Sequence, residues 1–80
     1  MGKQIKKSEE YATEVQQFGL NIKNLRVKKK FTQLELANET KLGLRTIQRI
    51  ENGQITTKLP IIFILAETFE VPVATLFKGI

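Results

Sequence analysis

The stretch ETKLGLRTIQRIENG, residues 39–53, decides which fold this sequence can adopt. It reads as a turn followed by a short helix with two unlike faces. Ile47 and Ile50 lie three residues apart and share the apolar face. The polar residues at i, i+3 and i+4 that share the opposite face are Arg45, Gln48 and Arg49. We therefore predict a helix over residues 44–51 that is anchored by isoleucines and presents cations outward.

A second short helix is predicted immediately before this turn. The sequence TQLE at 32–35 is a capping box, in which the Thr32 hydroxyl accepts from the Glu35 amide and the Glu35 carboxylate accepts from the Thr32 amide. Phe31 and Leu36 have the spacing of a hydrophobic staple. The predicted helix covers residues 33–39.

Two short helices joined by a tight turn make a helix-turn-helix, whose second helix enters the DNA major groove. Arg can form a bidentate pair with guanine and Gln with adenine, and Leu44 could touch a thymine methyl group. Taken alone, the same face could also be an ordinary solvated helix surface.

The charge balance favours an anionic partner. The 80 residues carry a formal net charge of +5 and have a pI near 9.8, which indicates nucleic acid first. Residues 1–30 hold eight Lys or Arg against three Glu, giving +5, whereas residues 59–80 hold one against two, giving −1. The positive charge is therefore concentrated in the first part of the chain.

The composition argues against an enzyme. Cysteine, histidine and aspartate are all absent, which excludes Ser–His and Cys–His nucleophile chemistry and argues against a transition-metal site. Glu35 and Glu39 are the only acidic pair near the motif, and helix capping explains Glu35 better. We expect no catalytic residue, metal or cofactor.

The flanking segments also have helical patterns, and β-alternation is not sustained anywhere. A helix start is predicted at Ser8, followed by an apolar stripe that runs from Tyr11 to Leu25, as one helix or as two joined near Gly19. Further helices are predicted from Leu59 or Pro60 to Glu70 and over residues 73–77, with Leu76 and Phe77 as core candidates. The predicted fold class is all-α, with an N-terminal extension over 1–17 and a five-helix domain over 18–80.

No targeting segment is apparent. The N-terminal lysines are not followed by an apolar run, and the longest such run, Ile61–Ala66, is too short to span a bilayer. We expect a cytoplasmic, nucleoid-associated protein.

Three stretches together resemble the lambda-repressor/Cro-like (Xre-type) family. TQLELANETKLGLRTIQRIENG at 32–53 is similar to its helix-turn-helix, FGLNIKNLRVKK at 18–29 to its first helix, and ILAETFEVPVATLF at 64–77 to its fourth and fifth. The resemblance implies a compact bundle of five helices that binds operator DNA, usually as a symmetric dimer.

The resemblance also implies a role for individual residues. It places base contacts at Leu44, Arg45, Gln48 and Arg49. It places contacts to the DNA backbone at Thr32, Gln33, Asn52, Thr56, Thr57 and Lys58. It pairs Arg26, late in the first helix, with Glu51 as a structural ion pair.

Two residues depart from the family pattern. Lys41 stands where the family turn usually has glycine, and Gly43 stands where the second helix usually has a Ser or Thr cap. An alternative register makes Gly43 the left-handed residue, but it shortens the second helix and misplaces Arg45. We prefer the family register, in which Lys41 is strained or the turn is slightly remodelled.

The helix after residue 58 is apolar nearly all round. Its predicted core stripe comprises Leu59, Ile62, Leu65, Ala66 and Phe69. Ile61 and Ile64 then point elsewhere, as a candidate protein-partner site or a patch covered by the N-terminal extension. We expect a homodimer formed through this helix or the last helix, together with the N-terminal extension.

The sequence favours a transcriptional regulator, a repressor above all, that acts as a dimer on a near-palindromic operator in double-stranded DNA. One alternative is the antitoxin of a toxin–antitoxin pair, with autoregulatory DNA binding. Another is a protein-interaction module that has lost DNA binding, although the retained polar face of residues 44–51 argues against it.

Overall fold

The computed structural model describes residues 8–55 and 57–80, and this part of the chain is all-helical. A 3-10 turn at Ser8–Tyr11 precedes the α-helices. The helices are α1 (Ala12–Lys28), α2 (Gln33–Thr40), α3 (Leu44–Glu51), α4 (Leu59–Phe69) and α5 (Val73–Leu76). None of these helices is both long enough and apolar enough to span a membrane.

Helix α1 is continuous through Gly19. The predicted start at Ser8 is a turn of 3-10 helix, and α-helical geometry begins at Ala12. Gly19 is buried where α1 crosses the end of α3. A Cβ at this position would collide with the carbonyl oxygen of Ile50 and lie 2.9 Å from that of Glu51. Glycine is therefore needed here for the close approach of two backbones, and it does not break the helix.

Helix α2 begins with the predicted capping box. The Glu35 amide donates to Thr32 Oγ1 at 3.0 Å, and the Thr32 amide donates to Glu35 Oε1 at 2.8 Å. Phe31, just before the cap, packs against the core, and its ring centroid lies 6.5 Å from that of Phe69. These contacts fix where α2 starts and how the chain enters it.

The turn between α2 and α3 has the family register. Lys41 is left-handed, with φ 59° and ψ 20°, and Gly43 is an extended N-cap, with φ −67° and ψ 153°. Thr40 supports the turn, since its hydroxyl donates to the Leu36 carbonyl at 2.7 Å and accepts from the Leu42 amide at 3.3 Å. The alternative in which Gly43 is the left-handed residue is wrong.

Replacing Lys41 with glycine should raise the free energy of unfolding by about 1 kcal/mol, because a left-handed conformation strains any residue that carries a Cβ. Thermal unfolding measures the change, and duplex DNA affinity should stay nearly the same. A lower melting temperature would show that the lysine side chain makes a contact whose stabilising energy exceeds the cost of the left-handed conformation.

The core lies where all five helices meet. It contains ten buried apolar residues: Phe18, Ile22, Leu36, Ala37, Ile47, Ile50, Leu65, Ala66, Phe69 and Leu76. Buried Asn21 hydrogen-bonds α1 to the C-terminal segment. Its Nδ2 donates to the carbonyls of Leu76 at 2.9 Å and Lys78 at 2.8 Å. This amide therefore ties the end of the chain to α1.

Helix α4 corrects two of our predictions. Leu59, predicted in the core, is 63% exposed, whereas Ile61, predicted to point away, packs against the core. Leu59 is the first residue of α4, so its side chain lies at the edge of the core. Phe63 is 55% exposed and Ile64 is half-buried. The outward apolar face of α4 is therefore carried by Leu59 and Phe63 rather than by Ile61 and Ile64.

Helix α5 is short and leaves part of its apolar surface outside. Leu76 is fully buried as predicted, but Phe77 is 39% exposed although its ring centroid lies 5.1 Å from that of Phe18. Ile80 is also exposed. The exposed apolar side chains of α4 and of the segment that follows it are together called the α4–C-terminal surface below: Leu59, Phe63, Phe77 and Ile80.

Candidate nucleic-acid interface

Helix α3 is held by its buried face. Ile47 is fully buried and Ile50 is 1% exposed, so the helix is anchored along most of its length. Gly53 ends it in a left-handed conformation, with φ 69°. A Cβ on Gly53 would lie 2.8 Å from Cγ of Gln16, which shows how closely this end packs on α1. The orientation of α3 therefore depends on contacts with α1 at its C-terminal end.

The opposite face of α3 carries exposed polar side chains. Arg45, Gln48 and Arg49 are all exposed, and Leu44 at the start of the helix is 38% exposed. Neither arginine forms a salt bridge with another residue in the part of the chain that the structure describes. Their donors are thus available to base edges or phosphates.

A buried ion pair lies behind this face. Arg26 Nε donates to Glu51 Oε2 at 2.7 Å, and Arg26 Nη2 donates to Glu51 Oε1 at 3.2 Å. The two side chains are only 12% and 2% exposed, so the interaction is little screened by water. Arg26 Nη1 also donates to the Phe31 carbonyl at 2.9 Å. One guanidinium therefore joins α1, the start of α2 and the end of α3.

Gln33 extends this network toward the exposed face. Its Nε2 donates to Glu51 Oε1 at 3.0 Å, and its Oε1 accepts from Gln48 Nε2 at 3.5 Å. The second distance is at the limit for a hydrogen bond, so this contact is weak. The geometry brings the first residue of α2 beside the middle of α3, as a joint contact to DNA would require.

The other residues predicted to contact the DNA backbone include Thr32, Asn52, Thr56 and Lys58. Asn52 and Lys58 are exposed, at the end of α3 and just before α4. The Thr32 hydroxyl accepts the Glu35 amide and keeps its own proton for a further acceptor. Thr56 lies outside the described residues.

Thr57, predicted as a phosphate contact, has a covered hydroxyl group. Its hydroxyl oxygen is buried and forms no hydrogen bond with a described residue. It lines a cleft of about 180 Å³ together with apolar side chains that include Val15, Phe18 and Ile62. The hydroxyl is thus covered in this conformation, and the contact between Thr57 and a phosphate stays a prediction.

Sequence reasoning missed the positioning role of Gly19, Gly53 and Asn21. Gly19 and Gly53 set how closely α3 lies against α1, and Asn21 holds the C-terminal segment. A glycine within the regular helical pattern of α1 was the available signal for the first of these contacts, since such a glycine often marks a close backbone approach.

Comparisons with known proteins agree with this architecture. The Helix-turn-helix family model, HTH_3, matches residues 22–76. The crystal structure of the restriction-modification controller protein C.AhdI from Aeromonas hydrophila is similar to the chain, with a TM-score of 0.79 and 28% sequence identity. The similarity covers 81% of this chain and 98% of that chain.

A second solved structure supports the fold of this chain and nothing further, because its sequence identity is low. The HTH_3 family transcriptional regulator from Vibrio cholerae has a TM-score of 0.76 and 20% identity, over 82% of this chain and 37% of that one. The chain therefore spans well under half the length of that regulator. No curated protein sequence matches the chain.

The family match covers the whole helix-turn-helix, the second part of α1, and α4 and α5. The sequence resemblance, the all-helical fold and the matched residues agree. The chain belongs to the HTH_3 helix-turn-helix family, the lambda-repressor-like DNA-binding proteins.

Proposed function

We propose that this protein is a sequence-specific, double-stranded DNA-binding transcriptional regulator that acts as a repressor. One observation carries the proposal: α3 presents Arg45, Gln48 and Arg49 to solvent without salt bridges to other described residues. Its opposite face is fixed by Ile47, Ile50 and the buried Glu51. A rigid helix that presents exposed guanidinium and amide donors suits base recognition, because less conformational freedom is lost on binding.

The binding mode follows from the helix-turn-helix geometry. The N-terminal half of α3 enters the major groove, where Arg45 and Gln48 read base edges and Leu44 contacts an apolar group. The start of α2 lies on the adjacent backbone, since its free amides and the Gln33 side chain suit a phosphate. Asn52 and Lys58 contribute further backbone contacts. The formal net charge of +5 supports attraction to DNA.

A homodimer would place two copies of α3 on successive turns of the same DNA face. The α4–C-terminal surface supports this, since its four large apolar residues are between 39% and 63% exposed. Exposed apolar clusters of this kind are typical of association surfaces. Light scattering should therefore show a dimer at micromolar concentration, and Phe63→Lys should shift it toward the monomer. A strict monomer at high concentration, with and without operator DNA, would rule out the dimer.

Substitution of single cations should separate base reading from backbone attraction. Arg45→Ala should weaken binding to the preferred site by about 1–3 kcal/mol and relax the preference at one base pair. Lys58→Ala should weaken binding to all duplexes alike and make the salt dependence shallower by about one unit of slope. Duplex titrations at several salt concentrations measure both effects.

These titrations also decide between regulator and interaction module. High affinity for one site with a steep salt slope supports the regulator. If no duplex binds more tightly than micromolar at low salt, the proposal fails and the interaction module is favoured. A regulator of this kind acts on the chromosome, so we expect it in the cytoplasm, associated with the nucleoid.

A further inference from the structure

Two aliphatic side chains form an apolar stripe on the outer face of α1, where both are largely exposed. Leu20 is 46% exposed and Val27 is 58% exposed. They lie seven residues apart, nearly two full helical turns, and the exposed Asn24 lies between them. These three residues therefore form one line along the helix, on the side away from the core.

Lysines border this stripe on both sides. At 100° per residue, Lys23 lies on one edge and Lys28 on the other. Lys28 also lines a groove of about 230 Å³ between α1 and the C-terminal segment. The residues that line this groove are Asn21, Asn24, Leu25, Lys28, Thr75 and Lys78, none of them acidic.

The positive charge of these lysines is not balanced locally. No salt bridge to Lys23, Lys28 or Lys78 is present within the described residues. The neighbouring Lys29 and Lys30 differ, because they line a separate groove that also contains two glutamates, at positions 35 and 39. The lysines around Leu20 and Val27 therefore differ from Lys29 and Lys30 in that no glutamate lines the groove beside them.

This surface is separate from the candidate DNA interface. The α1 residues that contact α3 include Gly19 and Arg26. By helical geometry the line through Leu20 and Val27 is rotated from them by roughly a quarter-turn or more. Exposed aliphatic side chains also give a phosphate backbone nothing to bind, since it is recognised by donors and cations.

The geometry points to a docking surface on the outer face of α1 for an acidic, amphipathic segment of another protein. The docking surface comprises Leu20, Lys23, Asn24, Val27, Lys28 and Lys78. The apolar side chains of the segment cover Leu20 and Val27, and its carboxylates pair with the lysines on either edge. Charge complementarity selects the partner, and burial of the two aliphatic side chains adds to its affinity.

A designed peptide tests this surface directly. The probe is a fluorescently labelled helical peptide with leucines on one face and glutamates on both edges of that face. Fluorescence anisotropy measures its affinity for the intact protein, and amide chemical shifts locate the contact. We expect Lys28→Gln to lower the affinity two- to fivefold, the range of about 0.4–1 kcal/mol for an exposed ion pair. Val27→Ala should lower it at least twofold.

Lys29→Gln is the matched control, because it removes the same charge one residue away, beside a groove that contains glutamates. It should leave peptide affinity unchanged. Equal losses for the two lysine variants, equal binding of a scrambled peptide of the same composition, or shifts confined to α4 would overturn the proposal. A loss of affinity for all duplex DNA on Lys28→Gln, with peptide binding intact, would assign the surface to a nucleic-acid backbone instead.

Discussion

Substitution of Gly19 by alanine should lower the free energy of unfolding by about 3 kcal/mol. The added Cβ would collide with the Ile50 carbonyl oxygen, which belongs to the backbone of α3 and cannot turn away as a side chain can. The higher helix propensity of alanine offsets only about 1 kcal/mol of the strain. Chemical denaturation followed by circular dichroism measures the change. Since α3 would be displaced, DNA affinity should fall as well.

Gly43→Ser is the matched control, because it adds a side chain to another glycine beside α3, at a position with room for it. Gly43 has φ −67°, and a Cβ there would be 3.9 Å from its nearest neighbour, Thr46 Oγ1. The serine hydroxyl can cap α3, so stability should stay equal or rise by up to about 1 kcal/mol. A Gly19→Ala variant as stable as the unmodified protein would contradict the close contact between α1 and α3.

Removal of the Glu51 carboxylate should lower the free energy of unfolding by an amount similar to that expected for Gly19→Ala. Glu51→Ala leaves the largely buried guanidinium of Arg26 without its counter-ion and leaves Gln33 without its acceptor. Loss of one partner of a buried ion pair costs about 3–5 kcal/mol, because the remaining charge is poorly solvated. We therefore expect a large fall in the urea midpoint, and a loss of DNA affinity as the end of α3 loosens from α1.

A double-mutant cycle with Arg26→Met and Glu51→Met separates the energy of the ion pair from the energy of side-chain packing. If the unpaired charge causes the loss, the double variant should be more stable than either single variant, since two apolar side chains of similar size leave no buried charge. Strictly additive losses would show that the two residues act independently, and the network described above would then be wrong.

The parts of the fold that were predictable have local causes. The capping box at Thr32 and Glu35 uses groups three residues apart, and the amphipathic pattern of α3 is complete within residues 44–51. Local hydrogen bonds and helical periodicity determine such features, so one sequence suffices to predict them.

The parts that were not predictable depend on contacts between distant segments. Helix α4 is apolar on every side, so its sequence does not specify which residues face inward, and Leu59 and Ile61 were assigned to the wrong sides. The burial of the Thr57 hydroxyl depends on how the loop before α4 packs. Asn21 binds carbonyls 55 and 57 residues away, which no local pattern encodes.

Selection of bound sites from random duplex DNA tests the central claim most directly. The proposed function predicts enrichment of a near-palindromic site whose half-sites lie about 34–36 Å apart, one turn of DNA. The same selection with Arg45→Ala should relax one base position in each half-site. Failure to enrich any sequence, together with no duplex binding tighter than micromolar at low salt, would contradict the assignment of α3 as a recognition helix.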